Sequence, residues 1–186
     1  MSDVVDLDWR NGPQSLTHLR AGDPIELTGR VLTLRDASAA RLARALEAGD
    51  RMPVSLDGQI LYAVGPSPAK PGQIIGSAGP TTTARMARYF QVLFDAGVRA
   101  VIGKGELHGS DMATFTAHGV VYFAAIGGLG ALLAKQITAA TVVAYDDLGP
   151  EALYALDVER FPMVTIIDAA GRNFHEDARH AWRTSV

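Results

Sequence analysis

Residues 79–94 read GPTTTARMARYFQVLF, and the order of residue types in this stretch organises the reading of everything around it. Gly79-Pro80 makes a turn, three hydroxyl side chains follow, and Arg85 comes one helical turn beyond Thr81. Met86, Phe90, Leu93 and Phe94 then recur at helical spacing until Gly97 offers a stop. Hydroxyls at the mouth of a helix accept hydrogen bonds from its free backbone N–H groups, and the same groups hold a carboxylate. Two readings stand side by side: a plain helix cap, or an anion-binding helix start with Thr81 and Arg85 facing one anion.

Working outward, residues 60–64 form a short apolar strand, and residues 65–80, GPSPAKPGQIIGSAGP, are too rich in glycine and proline for a helix or a central strand. They read as a long structured loop, with a brief strand at 73–75, forming the wall of a site. The loop keeps apolar residues, which weighs against an inter-domain linker. Upstream, a strand runs from Pro24 through Thr33. Arg35-Asp36 then opens an alanine-rich helix with Leu42 and Leu46 on one face, Asp36 or Ser38 as N-cap, and Gly49 beyond. Segments 4–9 and 15–19 read as an arm packing on a partner or as edge strands. Downstream come strands at 100–102, 120–125, 141–144 and 163–167. A small helix is expected at 129–137 and another at 151–156, with Pro150 in its first turn. The alternation from Ile102 onward predicts an α/β domain, with an arm over residues 1–23 and the folded domain over 24–186.

With 186 residues the chain buries the core of one domain. A net charge of -3 leaves no broad basic surface, so nucleic acid is not the expected partner, while a local basic pocket for a small acid remains open. There is no cysteine, which excludes a disulfide scaffold, a thiolate nucleophile and an iron–sulfur cluster held by this chain. The five histidines lack zinc-motif spacing, so no metal site is expected on this chain's own residues. The acidic, polar start is not a secretory signal. The uncharged run 120–134 is too short to span a bilayer and is broken by Gly127, Gly128 and Gly130, so a buried strand, a glycine turn and a short helix are expected. No membrane partner is expected, and the expected address is cytoplasmic.

Lys104 follows an apolar strand between Gly103 and Gly105, where strand ends in α/β folds commonly face a ligand. It is either a ligand group or an ordinary solvent-facing lysine. Arg35 stands before a helix; if that helix mouth converges on the Gly79–Arg85 stretch, Arg35, Arg85 and Lys104 surround a pocket suited to a dicarboxylate. Without convergence, Arg35-Asp36 is a local surface pair. No Ser-His-Asp set, Cys-His set or carboxylate pair forms a complete catalytic apparatus. His108 is either a surface residue or a proton shuttle, and His118 is expected to bond backbone beside the strand it precedes.

From about Pro24 to Phe174 the chain resembles the β subunit, equivalently the C-terminal domain, of the class I iron–sulfur fumarate hydratase and L-tartrate dehydratase family. The resemblance rests on Arg35-Asp36, Gly65-Pro66, GSAGPTTTARM from Gly76, GKG at 103–105, Gly127-Gly128, YDDLGPEA at 145–152, and VERFP ending at Pro162. It implies a swivelling β/β/α fold, layered around a mixed sheet, that closes on an α partner. It also implies a hydro-lyase whose [4Fe-4S] cluster is carried by cysteines of the α subunit. Carried over by motif, Thr81 is the proton-transfer residue on C3, Thr82 and Arg85 hold the substrate, Arg35 binds the distal carboxylate and Lys104 assists. Fumarate/malate is the first expected substrate pair, L-tartrate/oxaloacetate the second, and mesaconate a relative.

The expected assembly is of α2β2 type, with this chain alone as a homodimer. Two departures sit beside the expected pocket. Ser38, Ala39 and Ala40 stand where the family usually has a histidine, and Glu106-Leu107-His108 replaces asparagine and a basic or small residue. Non-catalytic dicarboxylate binding and a purely structural subunit are the competing classes.

Overall fold

A computed structural model describes residues 3–184; the outermost residues of the expected arm and domain, 1–2 and 185–186, lie outside the described residues. The strands are β1 (Val5–Asp8), β2 (Pro24–Leu34), β3 (Ile60–Ala63), β4 (Ala100–Gly103), β5 (Val121–Ala124), β6 (Ile137–Ala144) and β7 (Leu153–Ile167). They form one mixed sheet in the order β1-β2-β3-β4-β5-β7-β6, and a further β2–β7 pairing closes β2, β3, β4, β5 and β7 into a ring. The four strands β2 to β5 run parallel, and β7 runs antiparallel to its neighbours. The chain thus adopts the expected layered α/β class.

Closing the ring requires the long strands to bend, and a β-bulge supplies the corner. Between the pairs Leu27–Phe161 and Gly29–Val158 the register shifts, so Thr28 faces both Glu159 and Arg160. Arg160 takes a left-handed φ of 49° there and its N–H donates to Thr28 Oγ1.

Side chains on the short parallel strands alternate between two cores, as the period of two demands. Ile60, Tyr62, Ile102, Val121 and Phe123 join Leu27, Leu156 and Phe161 in one cluster. Leu61, Ala63, Val101 and Tyr122 face the other, against the helices. Both faces are buried, which explains the unbroken apolar runs of these strands. The helical layer holds α1 (Asp36–Ala48), α2 (Phe90–Asp95) and α3 (Gly109–His118), with α4 (Gly130–Leu133) and α5 (Phe174–Thr184) completing the set of α-helices. Phe90, Phe94 and Phe115 lock α2 to α3 with ring centroids 4.8–5.3 Å apart.

Several expectations change. The helix read from the Met86-Phe90-Phe94 spacing is in fact a 3-10 segment, Thr83–Tyr89, followed by the six-residue α2. No α-helix forms over 151–156: Asp146–Glu151 is 3-10, and β7 begins at Leu153 because the segment pairs with β6 and β2. The expected strand at 73–75 does not form. Helices α3 and α5 were not anticipated, although in α5 Phe174, Ala178, Ala181 and Trp182 do recur at helical spacing. Helix α1, its stop at the left-handed Gly49, and the strand–turn–helix folding of 120–134 are as expected. Segment 4–9 contains an edge strand, β1, paired in parallel with β2, whereas 15–19 forms no strand: Pro13–His18 is 3-10, with Leu16 and Leu19 buried. No helix among the described residues is long and apolar enough to cross a membrane.

Gly103 ends β4 directly beneath Thr83, and a Cβ there would overlap Thr83 Oγ1. Gly103→Ala is therefore expected to destabilise the fold by about 1–3 kcal/mol, the cost of overpacking a filled core. Chemical denaturation checks it, and the loss is expected to be non-additive with Thr83→Ala, which removes the colliding atom.

Candidate active site

Because β2 to β5 are parallel, their carboxyl ends share one rim, and the residues singled out above leave the sheet there. Leu34 O accepts Val64 N–H at 3.2 Å, Val64 bridges Pro80, and Thr81 N–H donates to Ala63 O at 2.7 Å. On the other side Lys104 N–H donates to Thr81 O at 3.2 Å and Thr83 N–H to Lys104 O at 3.1 Å. Residues 80–82 are thus a short extended wedge between the diverging ends of β3 and β4, which enters a 3-10 segment, not an α-helix, at Thr83. Thr82, the N-cap of the 3-10 segment, makes no side-chain capping bond.

The alternation of an extended chain separates the three threonines. Thr81 is half-buried, Thr82 exposed and Thr83 fully buried. The Thr83 hydroxyl lies 3.1 Å from the Tyr122 hydroxyl, and Tyr122 in turn donates to Gly105 O at 2.9 Å. This buried pair ties β5 to the loop after Lys104. Burial disfavours the phenolate and pushes the Tyr122 hydroxyl up to about 12.

Arg35 is the N-cap of α1, and Ser38 Oγ accepts its N–H at 3.0 Å. Ser38, one of the departures, is therefore part of the helix cap. The Arg35 guanidinium lies against Gly65, where a Cβ would fall 2.6 Å from Nη1. Its Nη2 is 3.3 Å from Glu151 Oε1, while the other Glu151 oxygen accepts Ala37 N–H at 2.8 Å. Asp36 Oδ2 stands 3.1 Å from Arg85 Nη2 and 3.9 Å from Arg35 Nε. The side chains Glu151, Arg35, Asp36 and Arg85 are therefore one chain of alternating charge linking α1, the 3-10 segment and the approach to β7.

Lys104 is exposed, and its stem passes Gly127, where a Cβ would be 3.5 Å from Cδ. The glycine loop beyond β5 folds back on the wedge, with Ala78 N–H donating to Gly130 O at 3.0 Å. Between Gly65 and Gly128 runs a groove lined by glycines, prolines and serines, among them Pro66, Ser77, Gly79, Pro80 and Pro150.

Arg35, Thr81, Thr82, Arg85 and Lys104 thus all lie on one rim, the first and fourth joined through Asp36 and the others through backbone pairing. Glu151, Thr83 and Tyr122 complete the arrangement beside Asp36, which the sequence offered only as a helix N-cap or as a local partner of Arg35. Glu151 and Thr83 carried a signal only as members of motifs quoted for other reasons. His108 is exposed, with Nε2 3.3 Å from Glu106 Oε2. His118 bonds the backbone oxygen of Thr114 from Nδ1 at 2.9 Å and lies 3.1 Å from Asp95, away from the rim. With no cysteine and no group of three metal-ligating side chains among the described residues, this chain's residues do not fit an iron–sulfur cluster, and no step below runs through one.

The chain as a whole is similar to known proteins. The family model described as the fumarase C-terminus matches residues 1–178. The chain is 34% identical over 165 residues to the putative L(+)-tartrate dehydratase subunit beta of Methanocaldococcus jannaschii, covering 86% of this chain and 85% of that protein. It is 34% identical over 154 residues to the anaerobic class I fumarate hydratase of Escherichia coli, covering 82% of this chain and 28% of that enzyme. With the putative class I fumarate hydratase of Geobacillus stearothermophilus it shares 35% identity over 179 residues, 94% of this chain and 34% of that protein. The chain therefore spans about a third or less of the fumarate hydratases it matches.

The phenol shift makes a stability prediction. Between pH 10, the ordinary tyrosine value, and pH 12, the unfolded chain releases the Tyr122 proton while the folded chain keeps it. This contribution is full below pH 10 and is lost as the pH rises towards 12. Tyr122→Phe is expected to flatten the fall in stability across that window, read by denaturant titration at each pH.

Proposed function

The chain belongs to the fumarase C-terminus family, and on that premise we propose that it is the β-type half of a hydro-lyase that reversibly hydrates and dehydrates a small 2-hydroxy dicarboxylate. The observation that carries this reading is the gathering of Arg35, Arg85, Lys104 and Thr81 on one rim of parallel strand ends. Three cations face two resident carboxylates, Asp36 and Glu151, so the rim keeps a positive excess for an incoming dianion. Arg35 takes the distal carboxylate through its planar fork, Arg85 and Thr82 hold the rest of the substrate, and Lys104 adds a point charge.

Thr81 moves the proton at C3. Its N–H and C=O are both engaged by the ends of β3 and β4, so the position from which its hydroxyl projects is fixed. A free hydroxyl is a weak base near neutral pH, and the positive charge of Lys104 on the adjoining strand favours the alkoxide. The [4Fe-4S] cluster belongs, in this proposal, to a cysteine-bearing α-type partner that completes the site, in an α2β2-type assembly. Fumarate/malate is the first substrate pair; the match to a tartrate dehydratase β subunit supports L-tartrate/oxaloacetate as the second.

The test is anaerobic co-expression with a cluster-bearing α-type protein, followed by assay of fumarate, malate and both tartrate enantiomers. Thr81→Ala is expected to lower kcat by about 100-fold or more with KM nearly unchanged, the signature of a lost proton-transfer group. Arg85→Gln is expected to raise KM about tenfold instead. Unchanged turnover in Thr81→Ala would remove the assignment, and robust turnover by this chain without a partner would remove the divided site.

A further inference from the structure

Glu106 is an odd residue for a site that receives anions. It lies two positions beyond Lys104, and a free carboxylate there would either capture the ammonium or repel a substrate carboxylate. Its surroundings show what prevents this. Arg179 Nη1 of α5 donates to Glu106 Oε2 at 2.7 Å, His108 Nε2 is 3.3 Å from the same oxygen, and His175 Nδ1 lies 3.8 Å from Oε1. The Arg179 guanidinium holds the Glu106 carboxyl below the usual carboxylate range. Lys104, by contrast, forms no ion pair among the described residues.

Helix α5, which supplies Arg179 and His175, has no buried residue among the eleven it contains. Core packing therefore does not account for its position. It is fastened at its start, where Phe174 lies against Gly22, and one turn on by the Glu106 contact. Arg179 lies just beyond the residues matched by the family model, which ends at 178.

The geometry points to Arg179 as a positioning residue that holds the Glu106 carboxylate away from Lys104 and so keeps the lysine ammonium available for a substrate carboxylate. This rests on the reading of Lys104 as a substrate-binding group. It goes beyond that reading by giving the C-terminal helix a part in affinity for the acid. Arg179 acts through Glu106 and touches no substrate.

The experiment is a suppressor test in the assembled α-type/β-type enzyme, with Lys104→Gln as the reference. Arg179→Gln is expected to raise KM for the dicarboxylate about three- to fivefold with kcat within twofold, the size of an exposed ion-pair effect. Glu106→Gln alone is expected to leave KM at or below the parent value, and the double variant to return it to the parent value. A purely structural clasp predicts the opposite: Glu106→Gln would then be as harmful as Arg179→Gln, and the double variant no better. That outcome, or an unchanged KM in Arg179→Gln while Lys104→Gln raises it, overturns the inference.

A second readout does not depend on substrate. The rate at which a lysine-directed acylating reagent modifies Lys104, followed by peptide mass spectrometry, is expected to fall in Arg179→Gln and recover in the double variant, because pairing with Glu106 keeps the amine protonated. Equal acylation rates in all variants overturn the inference. An unchanged KM in Lys104→Gln, with the acylation pattern as expected, instead removes the substrate role of Lys104 and leaves the sequestration of Glu106 standing.

Discussion

The arrangement depends on three backbone hydrogen bonds at the point where β3 and β4 part. Ala63 O receives Thr81 N–H, Thr81 O receives Lys104 N–H, and Lys104 O receives Thr83 N–H. Parallel strands in a closed, twisted sheet diverge at their ends and leave peptide groups that need partners. A threonine-rich wedge supplies them, and in doing so it fixes two side chains of opposite chemistry, a hydroxyl and an ammonium, on neighbouring strands. An α-helix starting at Thr82 would have turned those peptide groups along its own axis and left the strand ends unpaired.

The tight packing behind the wedge explains why the site is built on glycines and threonines. Gly103 makes room for Thr83, whose hydroxyl must find Tyr122 because both are buried. Gly65 makes room for the Arg35 guanidinium. In each case the absent side chain permits a polar or charged neighbour to lie against backbone. The rigidity of the site therefore comes from the two cores beneath it, while its upper surface stays open to whatever closes over it.

The fold was readable from the sequence where apolar runs were strong, as in β3, β4 and β5, whose two buried faces leave no alternation to misread. It was misread where spacing suited two structures. Met86, Phe90, Leu93 and Phe94 fit a helix, yet the pull of the strand ends on Thr81 and Thr83 tightened the first turns into a 3-10 segment. Leu153 and Leu156 satisfied a helical spacing too, but a long strand flanked by β2 and β6 claimed them. Of the site, the residues with charges or hydroxyls at turns were legible. What was not legible is the pairing among them, because Asp36 meets Arg85, and Glu151 meets Arg35, only through contacts far apart in the chain.

In these pairings acidic side chains sit among cations without cancelling them. Asp36 and Glu151 organise arginines: each is anchored, Glu151 by Ala37 N–H and Asp36 by its place in the first turn of α1, where the helix dipole favours a negative charge. Neither saturates its partners. Arg35 Nε is buried with no hydrogen bond, Asp36 Oδ2 being 3.9 Å away, beyond bonding distance. A buried guanidinium donor without a partner costs about 1–3 kcal/mol, a cost the folded chain carries inside the Glu151–Arg35–Asp36–Arg85 array. The two carboxylates therefore orient Arg35 from opposite sides while its inner nitrogen stays unpaired, so geometry supplied by α1 and by the approach to β7, not saturated pairing, sets where the guanidinium lies.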